Sequence, residues 1–217
     1  DYCIANTPVV KKAIGISEIM NTFRPVKPLT WNKNPTEWLS TLDIDNVMSQ
    51  YQKKHKDFIY MGAVPIDFDG QSTFGNGCVS NNLCKLNLEK LLNKRKYKIG
   101  VVFNLDPHDK GGSHWVAMFI DTKRGEIYYL DSYGEKIPRQ IKKFANKVKK
   151  QSLKIGKKKE YKLLENKRRH QFSESECGMY SLYFIIQMLK GVTFKKFTSK
   201  RVKDSYMMKL RKIYFNQ

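Results

Sequence analysis

Four side chains in this sequence are of the types needed for nucleophilic attack on a carbonyl. Cys177 lies in the run HQFSESECGMYSLYFI, residues 170–185, directly ahead of apolar residues that read as a buried helix. The unpaired N–H groups and dipole of a helix N-terminus favour a thiolate there. Read by itself, a lone cysteine is more often a small core side chain than a nucleophile. A thiolate also needs a base to take and return its proton, a group to orient that base, and donors for an oxyanion.

His114 follows the flexible run DKGGS and opens the strand-like run HWVAMFID, with Trp115 beside it able to pack over the ring. His55 and His108 sit in polar surroundings and read as solvated, and His170 lies in a basic loop. Asp131 ends the run EIYYLD and lies alongside His114 if the two strands pair; the competing reading is the first residue of a turn in DSYG. Gln171, six residues before Cys177, offers a side-chain N–H, and the backbone N–H of Cys177 a second. By composition alone Gln171 is an ordinary loop residue. Gly178 leaves the approach to the sulfur open.

The elements that must carry these residues follow from periodicity and turn chemistry. LDIDNVMSQYQKKH predicts a one-faced helix with Asp43 or Asp45 as its cap. FIYMGAVPIDF, broken by Pro65, suits a strand or extended loop, the Gly, Ser and Asn of 71–84 a loop, and NLEKLLNK a short helix. IGVVFNL, HWVAMFID and EIYYLD are β-rich, the last two joined by a TKRG turn that implies an antiparallel pair. Ile141, Phe144, Ala145 and Val148 mark one face of a helix over 139–154, with lysines opposite, and a lysine run at 156–159 leads into EYKLLE, a further strand. GMYSLYFIIQMLK is apolar all round, as a core helix is, and FTSKRVKDSYMMKLRKIYF closes the chain as a helix capped by Thr198 or Ser199. The order predicts an α+β fold, a small central mixed sheet flanked by helices.

The totals bound the rest. A chain of 217 residues with 41% hydrophobic content buries a real core in one domain with a short arm, and four of its seven prolines fall in the first 35 residues, where a short helix near Ser17 to Phe23 is expected. Four cysteines, Cys3, Cys78, Cys84 and Cys177, match neither a disulfide scaffold nor a zinc site, so free thiols in a reducing compartment are expected. No apolar run reaches the ~18 residues of a membrane span, and the opening DYCIANTPVVKK lacks a signal peptide's order. The chain opens on Asp1 and not on methionine, as a trimmed chain would. A net charge of +21 attracts a polyanion or steers an acidic partner, although a solvated basic surface weighs about as heavily.

Taken together, Gly111-Gly112-Ser113-His114-Trp115-Val116, then Tyr129-Leu130-Asp131-Ser132, then Gln171 and Cys177-Gly178 resemble the ubiquitin-like-protein (SUMO) protease family, which includes maturation proteases of adenoviruses and large DNA viruses. Arg169-His170-Gln171, Glu176-Cys177-Gly178 and Tyr180-Ser181-Leu182 resemble the branch in large DNA viruses most. The resemblance covers roughly residues 36–217, the expected catalytic domain, and leaves 1–35 as an arm of unknown role. It implies a papain-like cysteine protease fold, with Cys177 as nucleophile, His114 as base, Asp131 orienting it and Gln171 in the oxyanion hole. It also implies a tryptophan, Trp38 or Trp31, lining a narrow channel that admits glycines, with Trp115 and Gly178 as further substrate contacts. Substrates would carry Gly-Gly-Xaa sites, in the viral branch capsid or core precursors, and the protein would reside in the virion and the host cytoplasm. No cofactor or metal is required on this reading, with DNA or a peptide as an open activator, DNA as a partner of the basic surface, and no membrane. Two other readings compete: a SUMO or ubiquitin deconjugase acting on host proteins, and a basic nucleic-acid-binding module without catalysis, for which no DNA- or RNA-binding motif is present.

Overall fold

Apolar residues fill nearly every position of three consecutive strands, which is what a sheet covered on both faces requires. The computed structural model describes residues 24–72, 75, 77–155 and 160–216, with Thr7, Pro8, Val9 and Lys12. Cys3, the helix expected near Ser17 to Phe23 and the lysine run at 156–159 lie outside them. Among the described residues, β1 (Phe58–Pro65), β2 (Lys98–Asn104), β3 (Trp115–Asp121), β4 (Glu126–Leu130) and β5 (Lys162–Glu165) form one sheet in sequential order. The two outer pairs are parallel and the two inner pairs antiparallel, so the sheet is mixed. In the TKRG turn between β3 and β4, Gly125 takes φ 68°, a conformation that costs glycine nothing and other residues about 1 kcal/mol.

Period-two alternation distributes β3 between two cores. Trp115, Ala117 and Phe119 face one layer, and Val116, Met118 and Ile120 the other. The first layer is covered by α1 (Thr41–Lys54), α5 (Cys177–Leu189), α6 (Phe194–Ser199) and α7 (Asp204–Tyr214), and the second by α2 (Asn81–Cys84), α3 (Leu88–Asn93) and α4 (Arg139–Lys154). α5 lies across β3, with eleven of its thirteen residues buried, as its all-round apolar sequence demands. The expected α+β architecture, a small mixed sheet flanked by helices, is the one present.

Four local expectations need correction. α1 is capped by Ser40 and not by Asp43 or Asp45: Asp43 sits at the third helical position and closes a capping box with Ser40. Asp45 instead accepts from the Tyr60 hydroxyl and the Ala63 N–H, both at 2.9 Å, where the β1 register slips, and so ties α1 to the sheet. The closing segment is two helices, and Thr198 and Ser199 lie inside the first, their hydroxyls bonded back to Phe194 O and Lys196 O. The extended link between the helices puts Val202 within hydrogen-bond reach of His170 and Tyr180, contacts that a continuous helix would lose. Finally, Cys78 and Cys84 are joined in a disulfide, so free thiols hold only for Cys177 among the described residues.

Part of the expected arm is integrated with the C-terminus. Lys27 N–H donates to Asn216 O, Asn216 N–H to Pro25 O, and the buried Trp31 packs edge-on against Phe215, centroids 4.9 Å apart.

Candidate active site

Three of the expected residues meet at one end of the sheet. His114 stands just ahead of β3 and Asp131 just after β4, and the β3–β4 register, running from Asp121↔Glu126 to Ala117↔Leu130, brings these two ends side by side. His114 Nε2 lies 3.1 Å from Asp131 Oδ1. Cys177, the first residue of α5, lies near enough to the same imidazole to raise its pKa. Cys177 and Asp131 are both buried, while His114 keeps a small exposed edge. His55 and His170 take no part, and His108, expected to be solvated, pairs instead with Asp67 at 2.6 Å.

Electrostatics match this geometry. Burial pulls the His114 imidazole down, but hydrogen bonds and charge from Asp131 and Cys177 outweigh it and hold the group up at about 9. His170, by contrast, is pushed down to about 4 by burial and by Arg168 and Arg201, so it stays neutral and its Nδ1 accepts from Val202 N–H. A cysteine paired with a cationic imidazole, at a helix terminus whose first N–H groups lack intrahelical partners, can act as a thiolate nucleophile.

The loop carrying Gln171 is stitched onto the Asp131 segment. His170 and Gln171 N–H both donate to Ser132 O, and Asn166 Nδ2 donates to Asp131 O at 2.9 Å. The Gln171 amide is fully bonded: Oε1 accepts from Ser132 Oγ at 2.6 Å, and Nε2 donates to Ser173 O at 2.7 Å and to the Tyr133 hydroxyl at 3.2 Å. Tyr133 and Asn166 carry no role in the sequence reading, and Ser132 enters it only as the last residue of the YLDS run. The hairpin offered a signal for one of them, because extending its register three residues beyond Ala117↔Leu130 sets Tyr133 opposite His114.

The remaining expected contacts are rearranged. The ring stacked on His114 is that of Tyr133, and Trp115 turns into the core, donating from Nε1 to Leu39 O at 2.9 Å. Gly178 does not open a path to the sulfur, since a Cβ there would meet Leu39 at 3.0–3.2 Å; glycine is what allows α5 to approach the Leu39 segment. Leu39 thus touches Gly178 and Trp115, and its sequence neighbour Trp38 is 43% exposed. Trp31, the alternative, is buried against Arg211 and Phe215.

Immediately before Cys177, Glu176 is buried and held by Arg211 in two hydrogen bonds, Nε to Oε2 at 3.1 Å and Nη2 to Oε1 at 3.0 Å, with the guanidinium 4.6 Å above the Trp31 ring. Removing one partner strands a buried charge, so Arg211→Ala is expected to lower stability by about 3–5 kcal/mol. Urea unfolding checks this, and an unchanged midpoint would contradict it. Among the described residues no His, Cys, Asp and Glu cluster is arranged to hold a metal ion, and no helix is long and apolar enough to cross a membrane.

Comparison with known proteins agrees with the geometry. The family model described as the Ulp1 protease family, C-terminal catalytic domain, matches residues 84–217. A protein of Acanthamoeba polyphaga mimivirus that carries the name of a thiol protease is 35% identical over 222 residues, 99% of this chain and 68% of that protein. A cysteine protease of African swine fever virus is 30% identical over 225 residues, 97% of this chain and 80% of its own. The crystal structure of the African swine fever virus protease superposes with a TM-score of 0.74 at 27% identity, covering 99% of this chain and 82% of that one. The yeast Ulp1 protease domain, solved in complex with Smt3, superposes with a TM-score of 0.58 over 83% of this chain and 76% of its own, and at 18% identity speaks for the fold alone. With a thiol, an imidazole and a carboxylate brought together on that fold, the chain belongs to the Ulp1 protease family and is a thiol protease.

Proposed function

We propose that the chain is an endopeptidase that cuts after Gly-Gly sites in virion precursor proteins, with Cys177 as nucleophile. The observation that carries the assignment is His114 paired with Asp131 at 3.1 Å and raised in pKa by both Asp131 and the nearby Cys177. Cys177 Sγ attacks the scissile carbonyl carbon, and the oxyanion is received by the Cys177 N–H and the Gln171 amide. His114 then gives its proton to the departing amine, leaving a thioester; water, deprotonated by His114, releases the acid and restores the thiol. Asp131 keeps the imidazole in the tautomer and plane this requires.

Glycine preference is supported by membership of the Ulp1 protease family, and the channel residue is assigned to Trp38, 43% exposed and next in sequence to the Leu39 that packs on Gly178. Viral relatives support action on virion precursors in the virion and host cytoplasm. The basic surface, with Lys142 and Lys150 exposed on α4 and a net charge of +21, supports retention on DNA inside a particle. Mass spectrometry of peptides cut by the wild type and not by Cys177→Ala tests the reading. A common Gly-Gly before the cut is expected, and cuts after bulky residues would overturn it.

A second reading, release of a SUMO-like modifier, is favoured by African swine fever virus relatives whose names call them SUMO-1 cysteine proteases. Strong labelling by a SUMO or ubiquitin vinyl-sulfone probe, without cleavage of viral precursors, would reverse the order.

A further inference from the structure

Tyr133 touches more of this centre than any residue the sequence singled out. Its ring lies on His114 with centroids 4.9 Å apart and 24° between planes. Its hydroxyl accepts from Gln171 Nε2 at 3.2 Å and donates to Ser173 O at 3.2 Å. Its backbone N–H donates to Asp131 Oδ1 at 2.7 Å, on the same oxygen that faces His114. The Arg169 guanidinium also lies over this ring, 5.2 Å from its centroid, and its Nε is in turn fixed on Gln171 O.

We propose that Tyr133 is a positioning residue for the reaction, its ring fixing the plane of His114 and its hydroxyl the direction of the Gln171 amide. The proposal rests on the roles given above to Cys177, His114 and Gln171. The terminal torsions of His and Gln are broad, so a single hydrogen bond leaves each group free to rock about it. A face-on aromatic ring removes that freedom from the imidazole. The hydroxyl does the same for the amide, whose other proton and oxygen are already committed to Ser173 and Ser132. It also keeps the second Gln171 N–H partnered until an oxyanion arrives. An anionic oxygen is a stronger acceptor than a phenol, so the exchange runs downhill.

Two kinds of variant separate the two functions. Tyr133→Phe keeps the ring and drops the hydroxyl; Tyr133→Leu and Tyr133→Met, either of which suffices if the other does not fold, drop both. Alkylation of Cys177 by iodoacetamide across pH reads the thiolate and imidazole and forms no oxyanion. Binding of a Gly-glycinal peptide aldehyde reads the oxyanion donors through its hemithioacetal. Tyr133→Phe is expected to keep the wild-type alkylation profile while binding the aldehyde about tenfold more weakly and losing about tenfold in kcat at unchanged KM, less than the ~100-fold of deleting a donor outright. The Leu and Met variants are expected in addition to move the pH midpoint of alkylation. Wild-type aldehyde affinity and kcat in Tyr133→Phe, or a wild-type alkylation profile in the Leu or Met variant, overturns the proposal. The alkylation arm needs no peptide sequence, so it decides the His114 role whether or not the Gly-Gly preference holds.

Discussion

Cys177→Ala yields a folded protein whose cleavage of a Gly-Gly-Xaa peptide falls by about 10⁶-fold, to the background rate. The loss is this large because a covalent route has no substitute once the sulfur is gone: His114 and Asp131 remain paired but have no thiol proton to move, and the oxyanion donors only bind. The fold survives because the substitution removes one sulfur atom from a side chain that is 1% exposed at the start of α5, a transfer change of about 1 kcal/mol. The ten other buried residues of α5 continue to anchor the helix between the sheet and α7. Peptide turnover by mass spectrometry, with a thermal melt on the same sample, checks both halves. Retained turnover would remove Cys177 from the mechanism, and a lost melting transition would mean that the effect is structural.

Asp131→Asn keeps the shape and removes the charge. Its effect is read best from pH. His114 is ordinarily half-protonated near pH 6.5 and is held up at about 9 here, first against burial and then by Asp131 and Cys177. A raised pKa means that the imidazolium, and the stability it contributes, is fully present below the unfolded value and is lost as pH rises through about 9. The imidazolium therefore persists through neutral pH in the wild type. Without the carboxylate charge the alkaline limb of kcat/KM is expected to move down by about one to two units, and kcat to fall by about 10²- to 10⁴-fold as the imidazole loses its enforced tautomer. A pH–rate profile whose alkaline limb stays put would contradict this account of the His114 shift.

How much of this centre was legible beforehand differs from residue to residue. Asp131 beside His114 could be read because a four-residue turn between two apolar runs fixes an antiparallel register, and register carries to the strand ends. Gln171 and Cys177 were legible as types at a spacing, but the Ser132 and Ser173 bonds that fix the amide come from segments that meet only in space. Trp115 was read as covering His114, yet strand alternation sends its side chain into the core layer beneath α5. Gly178 was read as an opening, and what it meets is Leu39, a residue far away in sequence. The disulfide between Cys78 and Cys84 was missed because short spacing without a repeated pattern gives no pairing signal.

The sequence by itself determined the two-sided sheet, the core helix and the chemical types at the site, because periodicity and composition are local properties that burial must respect. Only the tertiary structure decided which groups hold those types in place: Tyr133 on His114 and Gln171, Arg211 on Glu176, and Leu39 on Gly178. Each of these joins segments that come together only when the sheet and its helices close. Hydrogen bonds and ring contacts act over a few ångströms of space, and spacing along the chain carries no record of them.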